Sequence, residues 1–251
     1  MKDFLQERKT TRKYKKEHIS QETLDYILKA GIRASNCGNM QLYSFIITKD
    51  EDKKKAYAPL HFNQPMVTQA DVVVTVCADV NRFNHWCEIN GADKSLNNFL
   101  FLNIATIDAT IAAQAITTAA ESKGLGVCWL GTVNYMADEI SKFLNLPNGV
   151  VPIACLTIGV PDENPELTER LPLSAIVHNE EYKDYDDNAI KEMYKQIEEN
   201  PTNIQYVKEN NKENLAQVFS EIRYGRKGNE EFSKNYKEFI NQNFLDKNCQ
   251  L

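Results

Sequence analysis

Residues 99–131 read FLFLNIATIDATIAAQAITTAAESKGLGVCWLG, and this stretch decides the fold. Up to Ser122 the side chains are apolar or small around nearly the whole helical circumference, which predicts a helix buried on all sides. At 1.5 Å per residue its 24 positions span about 36 Å, the diameter of a domain. A run of that length raises the question of a membrane span. Asn103, Asp108, Gln114 and several threonines interrupt it, so it reads as a central core helix. Lys123 and Gly124 close the helix as a terminal cation and a C-terminal glycine do. Residues 127–130 then form a short apolar strand ending at Gly131, where the missing Cβ lets backbone approach a flat ligand. The spacing Gly124-x-Gly126 starts like a dinucleotide fingerprint, but Trp129 takes the place of its third glycine, and the glycines follow a helix. A Rossmann turn is excluded.

Outward from this stretch, three further apolar runs read as strands: residues 44–48, 70–78 (ADVVVTVCA) and 150–159 (VVPIACLTIG). Ser20 is the N-cap of an amphipathic helix carrying Leu24, Ile27, Leu28 and Ile32, with Thr23 where a capping-box glutamate would stand. A short helix is expected over residues 3–7, a charged surface helix over 50–56, and an amphipathic helix over 136–144, stopped at Leu146-Pro147-Asn148-Gly149. Residues 79–91 read as a connection containing Trp86. Residues 61–66 form a loop that composition does not explain. Helices early and late around a few strands joined by long connections give an α+β fold, a sheet covered by helices. A buried helix too long for one small core implies that a second subunit covers part of it.

Composition bounds the function. The 251 residues are 42% hydrophobic, enough for one good core and an appendage. A net charge of −6 argues against partners that are nucleic acids or anionic membranes. Residues 1–3 lack the apolar run of a secretory signal, so a cytoplasmic protein is expected. Six cysteines and four histidines show neither C-x-x-C pairs nor ligand spacing, so no metal is assigned. Beyond Tyr182 the chain turns charged and rich in Asn and Gln, with Tyr182, Tyr185, Tyr194 and Tyr206 as its few large anchors. The domain reading is a core over 1–181 and a helical extension of the same domain over 182–251.

Two segments carry candidate chemistry. Arg8-Lys9-Thr10-Thr11-Arg12-Lys13-Tyr14-Lys15-Lys16 is either a solvated charge run or a phosphate grip in which arginine forks alternate with hydroxyls. Residues 34–41 (ASNCGNMQ) are either an ordinary turn or a loop of amides and hydroxyls that binds a polyol or a ring edge.

Taken in order, these segments resemble a family. Arg8 to Tyr14, the loop 34–41, Asn63-Gln64-Pro65 with VTQADVVVTVCADVNR, AAESKGLGVCWLG, and LNLPNGVVPIACLTIGVPDENPELTERLP are similar in order and spacing to the FMN-dependent nitroreductases. Within them they resemble the larger oxygen-insensitive NADPH nitroreductase and flavin reductase class. The resemblance covers nearly the whole chain. It implies a nitroreductase-like fold, with a central, mostly antiparallel sheet flanked by helices and a C-terminal helical excursion. It further implies a homodimer with two FMN sites at the interface. Arg8, Lys9, Thr10 and Arg12 would hold the FMN phosphate and ribityl chain and reach the N1/O2 side of the ring, and Arg170 would complete the phosphate grip. Gln64 would read the pyrimidine edge, and Leu130, Gly131 and Thr132 would lie along the ring. Asn36 and Asn39 would come from the partner subunit.

Two departures from the class pattern stand out. Thr168 stands where a lysine is common, removing one cation. Lys9-Thr10 replaces an Arg-Ser pair, keeping charge and hydroxyl but losing a fork. The implied activity is ping-pong transfer of two electrons from NADPH or NADH, through flavin N5, to nitroaromatics, quinones or free flavin. No separate catalytic side chain is required. Arg223, Arg226 and Lys227 form either the contact for the 2′-phosphate of NADPH or a solvated turn. The rival from another class is a flavin-binding redox sensor or storage protein with little turnover.

Overall fold

The computed structural model describes residues 5–249. Helices α1 (Gln21–Ile32), α2 (Glu51–Tyr57), α3 (Met66–Gln69), α4 (Asn81–Ile89) and α5 (Phe99–Ser122) alternate with strands β1 (Tyr43–Thr48) and β2 (Val72–Asp79). Strand β3 (Gly126–Leu130), helices α6 (Thr132–Tyr135) and α7 (Ala137–Phe143) and strand β4 (Val150–Gly159) follow. Helices α8 (Asp187–Glu198), α9 (Pro201–Glu209), α10 (Leu215–Gln217) and α11 (Arg226–Asn243) complete the order. The sheet is antiparallel throughout, in the order β1-β2-β4-β3. The architecture is the expected α+β one.

The residues form two compact units: one runs to Pro165 and resumes at Ser233, and the other is Glu166–Phe232. In the first, every residue of β2 is buried because helices cover both sheet faces. Val72, Val74 and Val76 pack with Leu156 and Ile158 against Leu24 and Ile27 of α1 and the alanine face of α5. Val73 and Cys155 point the other way, toward Tyr57, Met66, Val67 and Ile140. This is the period-2 alternation of a strand buried on both sides. Burial of each valine contributes about 1.5–3 kcal/mol. The end of the chain closes a third cluster, where Phe239, Ile240, Phe244 and Leu245 pack with Leu42, Val80, Leu102 and Val151.

Helix α5 begins at Asn98, whose side chain accepts the Phe101 N–H at 3.0 Å, and ends before Gly124 in the left-handed region (φ 76°). It is long and apolar enough to cross a membrane, but its Ala105, Ala109, Ala112, Ala113, Ile116 and Ala120 are packed in protein. Small side chains let α1 and the sheet approach closely. Within one chain the burial is incomplete: Leu100, Ile107 and Ile111 remain 63%, 49% and 40% exposed. They lie at i, i+7 and i+11, one continuous apolar stripe.

Some local expectations are corrected. Residues 3 and 4 of the first expected helix lie outside the described residues, and residues 5–7 form a turn. The connection at 79–91 is largely α4, started by Asp79, whose carboxylate accepts the Arg82 N–H at 3.2 Å. The helix expected over 136–144 is present as α7, and the addition is the short α6 before it, set off from α7 at Met136 (φ −119°, ψ 31°). The charged helix α2 is not all surface. Lys54 is buried, its ammonium donating to Ala70 O at 2.6 Å and pairing with Glu51 at 2.8 Å.

In the second unit α8 and α9 bury no residue fully. Three of its four expected tyrosine anchors are exposed, Tyr182 by 70%. Leu215 and Val218 are buried instead. Tyr185 does anchor its segment, donating to Ala175 O at 3.0 Å with His178 Nε2 at the same distance.

Candidate functional site

The N-terminal basic segment is fastened to the sheet by its backbone. Thr11 N–H donates to Val127 O at 3.1 Å, and Lys15 N–H to Val160 O at 2.9 Å. The buried Tyr14 hydroxyl donates to Thr11 O at 2.8 Å and lies 2.9 Å from Thr157 Oγ1, and burial raises its pKa. One carboxylate oxygen of Glu163 accepts both the Arg12 N–H (2.5 Å) and the Lys13 N–H (3.1 Å). A Cβ at Gly126 would stand 2.5 Å from Thr11 Cβ, so this glycine is what lets the segment lie against β3.

Fastening the backbone leaves the cations in unequal states. Arg8 Nε is 3.1 Å from Glu121 Oε1, a Coulombic contact whose N–H is not aligned for a hydrogen bond to that oxygen. Burial raises the Glu121 pKa and Arg8 pulls it back. Lys9 Nζ donates to the neutral amide of Asn164 at 3.3 Å. Among the described residues the Arg12 guanidinium and the Thr10 hydroxyl have no side-chain partner. Lys9 and Arg12 therefore keep charge available to an anion.

A second segment converges on the end of β3. Phe62 and Asn63 both adopt left-handed backbone (φ 55° and 54°), and the turn they make carries Gln64, whose N–H donates to His61 O at 3.2 Å. His61 is fully buried, edge-on to Tyr57 with ring centroids 4.5 Å apart. Its Nδ1 is 2.6 Å from Thr132 Oγ1. This contact joins the Gln64 turn to Leu130-Gly131-Thr132. Burial lowers the His61 pKa to about 4, so the ring is neutral at pH 7. Leu130 and Thr132 are buried, while a Cβ at Gly131 would meet nothing within 4 Å. Open space over exposed backbone suits a flat ring. A cavity of about 900 Å³ is lined by Arg12 together with Pro65 and Met66, so the basic segment and the residues that follow the turn are neighbours.

Asn36 and Asn39 occupy a separate loop. Asn36 accepts the Gln41 N–H at 3.2 Å, and Asn39 accepts from the Gln41 amide at 3.0 Å. Asp108 of α5 holds this loop, accepting the Cys37 N–H at 2.9 Å and the Leu42 N–H at 3.5 Å. None of these bonds reaches the segments carrying Arg12 or Gln64.

Arg170, Arg223 and Arg226 belong to the second unit. Arg170 folds back, its Nη1 donating to Thr168 Oγ1 at 2.8 Å and to Glu169 O at 2.9 Å. The threonine that replaces a class lysine is thus a partner of the arginine. The Arg223 guanidinium lies over Tyr206 (4.9 Å) and Phe219 (5.3 Å), and Arg226 Nε donates to Glu230 at 2.7 Å.

His61, Asp108, Glu121 and Glu163 were missed by sequence reasoning. Asp108 had a signal, as a carboxylate in the middle of an otherwise apolar helix. His61 had none beyond its place before Asn63-Gln64-Pro65.

Comparison with known proteins bears on this arrangement. The sequence profile of the Nitroreductase family matches residues 5–160. A Pseudomonas Cr(VI) reductase is 31% identical over 72% of this chain and 75% of its own length. A Bacillus subtilis FMN reductase [NAD(P)H] is 34% identical over 73% and 74%. A solved Bacteroides fragilis protein provisionally named an oxidoreductase superposes with a TM-score of 0.96 at 41% identity, covering 97% of this chain and all of that one.

Proposed function

The chain belongs to the nitroreductase family, and from that membership we propose that it is an NAD(P)H-dependent flavin oxidoreductase that holds FMN along β3. The observation that carries this reading is the pairing of two features at opposite ends of one strand. The cation and hydroxyl segment is fixed at Val127, and the open backbone of Gly131 begins four residues later. At 3.4 Å per residue they are about 14 Å apart, a reach suited to a flavin with its phosphate at one end and its ring at the other.

When bound, FMN would supply two-electron carrier chemistry between the nicotinamide and an acceptor. The chain supplies binding, orientation and charge. Lys9, Thr10 and Arg12 grip the phosphate and ribityl chain and hold negative charge on the N1/O2 side, with Arg8 steadied by Glu121. Gln64 reads the pyrimidine edge from a turn whose backbone is locked by two left-handed residues. Arg170 reaches the phosphate once its guanidinium exchanges Thr168 for the ligand. Arg223 and Arg226 contact the 2′-phosphate of NADPH. The exposed stripe of Leu100, Ile107 and Ile111 lies in a homodimer interface that brings Asn36 and Asn39 to the partner's flavin. Acceptors are small molecules: nitroaromatics, quinones or free flavin, reached after the nicotinamide leaves, in ping-pong order.

The test is an absorbance spectrum of the purified protein reconstituted with FMN, followed by anaerobic addition of NADPH and, separately, NADH. A flavin band bleached by NADPH and restored by a quinone or nitroaromatic is the expected result. A band that persists in both nicotinamides would assign a flavin-binding sensor, and failure to take up FMN would remove the site.

A further inference from the structure

A histidine buried without exposure has to account for both ring nitrogens, and His61 accounts for one. Nδ1 sits 2.6 Å from Thr132 Oγ1, whereas Nε2 is enclosed and has no partner among the described residues. A neutral imidazole carries one N–H, so two arrangements exist. Either Nδ1–H donates to the threonine and Nε2 is a bare lone pair, or the threonine donates to Nδ1 and a buried Nε2–H is orphaned. Orphaned buried N–H groups are the rarer of the two in folded proteins. The first arrangement is therefore favoured, and its consequence falls on Thr132. With its oxygen accepting from His61, the hydroxyl proton is directed away from His61, and no other acceptor for it exists among the described residues. Thr132 follows the open backbone of Gly131.

We infer that His61 is a positioning residue that turns the Thr132 hydroxyl into an oriented hydrogen-bond donor for the heteroatom edge of the flavin ring. This rests on the FMN site proposed above. The neutral ring required is consistent with the burial of His61, which disfavours its protonation. Two hydrogen bonds in series polarise one another in a water-poor site, so the donor is stronger than an isolated hydroxyl. A donor aimed at the ring edge favours the electron-rich, reduced ring over the oxidised one.

The test has two arms. In FMN-free protein labelled with ¹⁵N-histidine, ring-nitrogen shifts at neutral pH report Nδ1 protonated and Nε2 unprotonated; the opposite tautomer would overturn the inference. In the FMN-loaded protein, T132V and H61F weaken FMN binding roughly three- to tenfold and move the flavin midpoint potential to more negative values. T132S and H61N, which keep a hydroxyl and a donor near the Nδ1 position, restore both quantities. If H61F does not fold, the near-isosteric T132V decides. An FMN-binding wild type whose potential and affinity are unchanged in T132V would overturn this inference alone, whereas a wild type that does not bind FMN would overturn the site itself.

Discussion

Thr11 and Gly126 touch where no side chain fits between them: a Cβ on the glycine would lie 2.5 Å from the threonine's. The contact holds the Arg8 to Arg12 segment on the sheet, together with the Thr11–Val127 backbone hydrogen bond. Gly126→Ala forces the segment away, at a cost of about 1–3 kcal/mol by overpacking. The expected outcome is a lower melting temperature together with reduced FMN retention, read by thermal denaturation and flavin fluorescence. Unchanged stability would mean that the segment is not fastened there.

Acid sensitivity follows from His61. Its folded pKa is about 4, against roughly 6.5 for an ordinary histidine, so the unfolded state binds the extra proton between those values. Stability is therefore full above pH 6.5 and falls as pH drops toward 4, by an amount on the order of 3 kcal/mol from this group. Glu121, whose pKa is raised, acts in the opposite direction. Comparing wild type with His61→Phe in urea at pH 8 and pH 4.5 isolates the histidine: the wild type loses more stability between the two.

Charge compensation ranks the phosphate-grip arginines. Arg8 faces the partly buried Glu121, whereas the Arg12 guanidinium has no side-chain partner among the described residues. Arg12→Ala is expected to weaken FMN about ten- to a hundredfold, the worth of a charged hydrogen bond, and Arg8→Ala by less. Equilibrium titration with FMN measures both.

Asp108 carries the Asn36–Asn39 loop through the Cys37 and Leu42 N–H groups. Asp108→Ala leaves those donors without their acceptor, at a cost of about 1–3 kcal/mol, and Asp108→Asn retains one acceptor oxygen. Amide exchange at Cys37 should accelerate markedly in the alanine variant and modestly in the asparagine one.

The exposed α5 stripe gives a prediction about assembly. Replacing Ile107 and Ile111 together by Asp puts charge on an apolar face that is half exposed in the single chain. Sedimentation should show a dimer for the wild type and a folded monomer with weakened FMN binding for the variant. A dimeric double variant would place the interface elsewhere.

By itself the sequence determined the elements whose signal is local. The apolar run of α5, the valine run of β2 and the glycine after Ser122 each state a backbone preference or a burial demand within a dozen residues, and each lies where it was expected. Residues 79–91 misled because a polar helix started by Asp79 resembles a connection when only hydrophobicity is read. Only tertiary structure decided what touches what. That Gly126 serves Thr11, that Asp108 holds a loop 71 positions away, and that an unremarked histidine meets Thr132 are consequences of chain folding over long sequence separations. A hydrogen bond or a close packing contact depends on coordinates in space, and one chain's residue pattern encodes those only through the sum of all its other contacts.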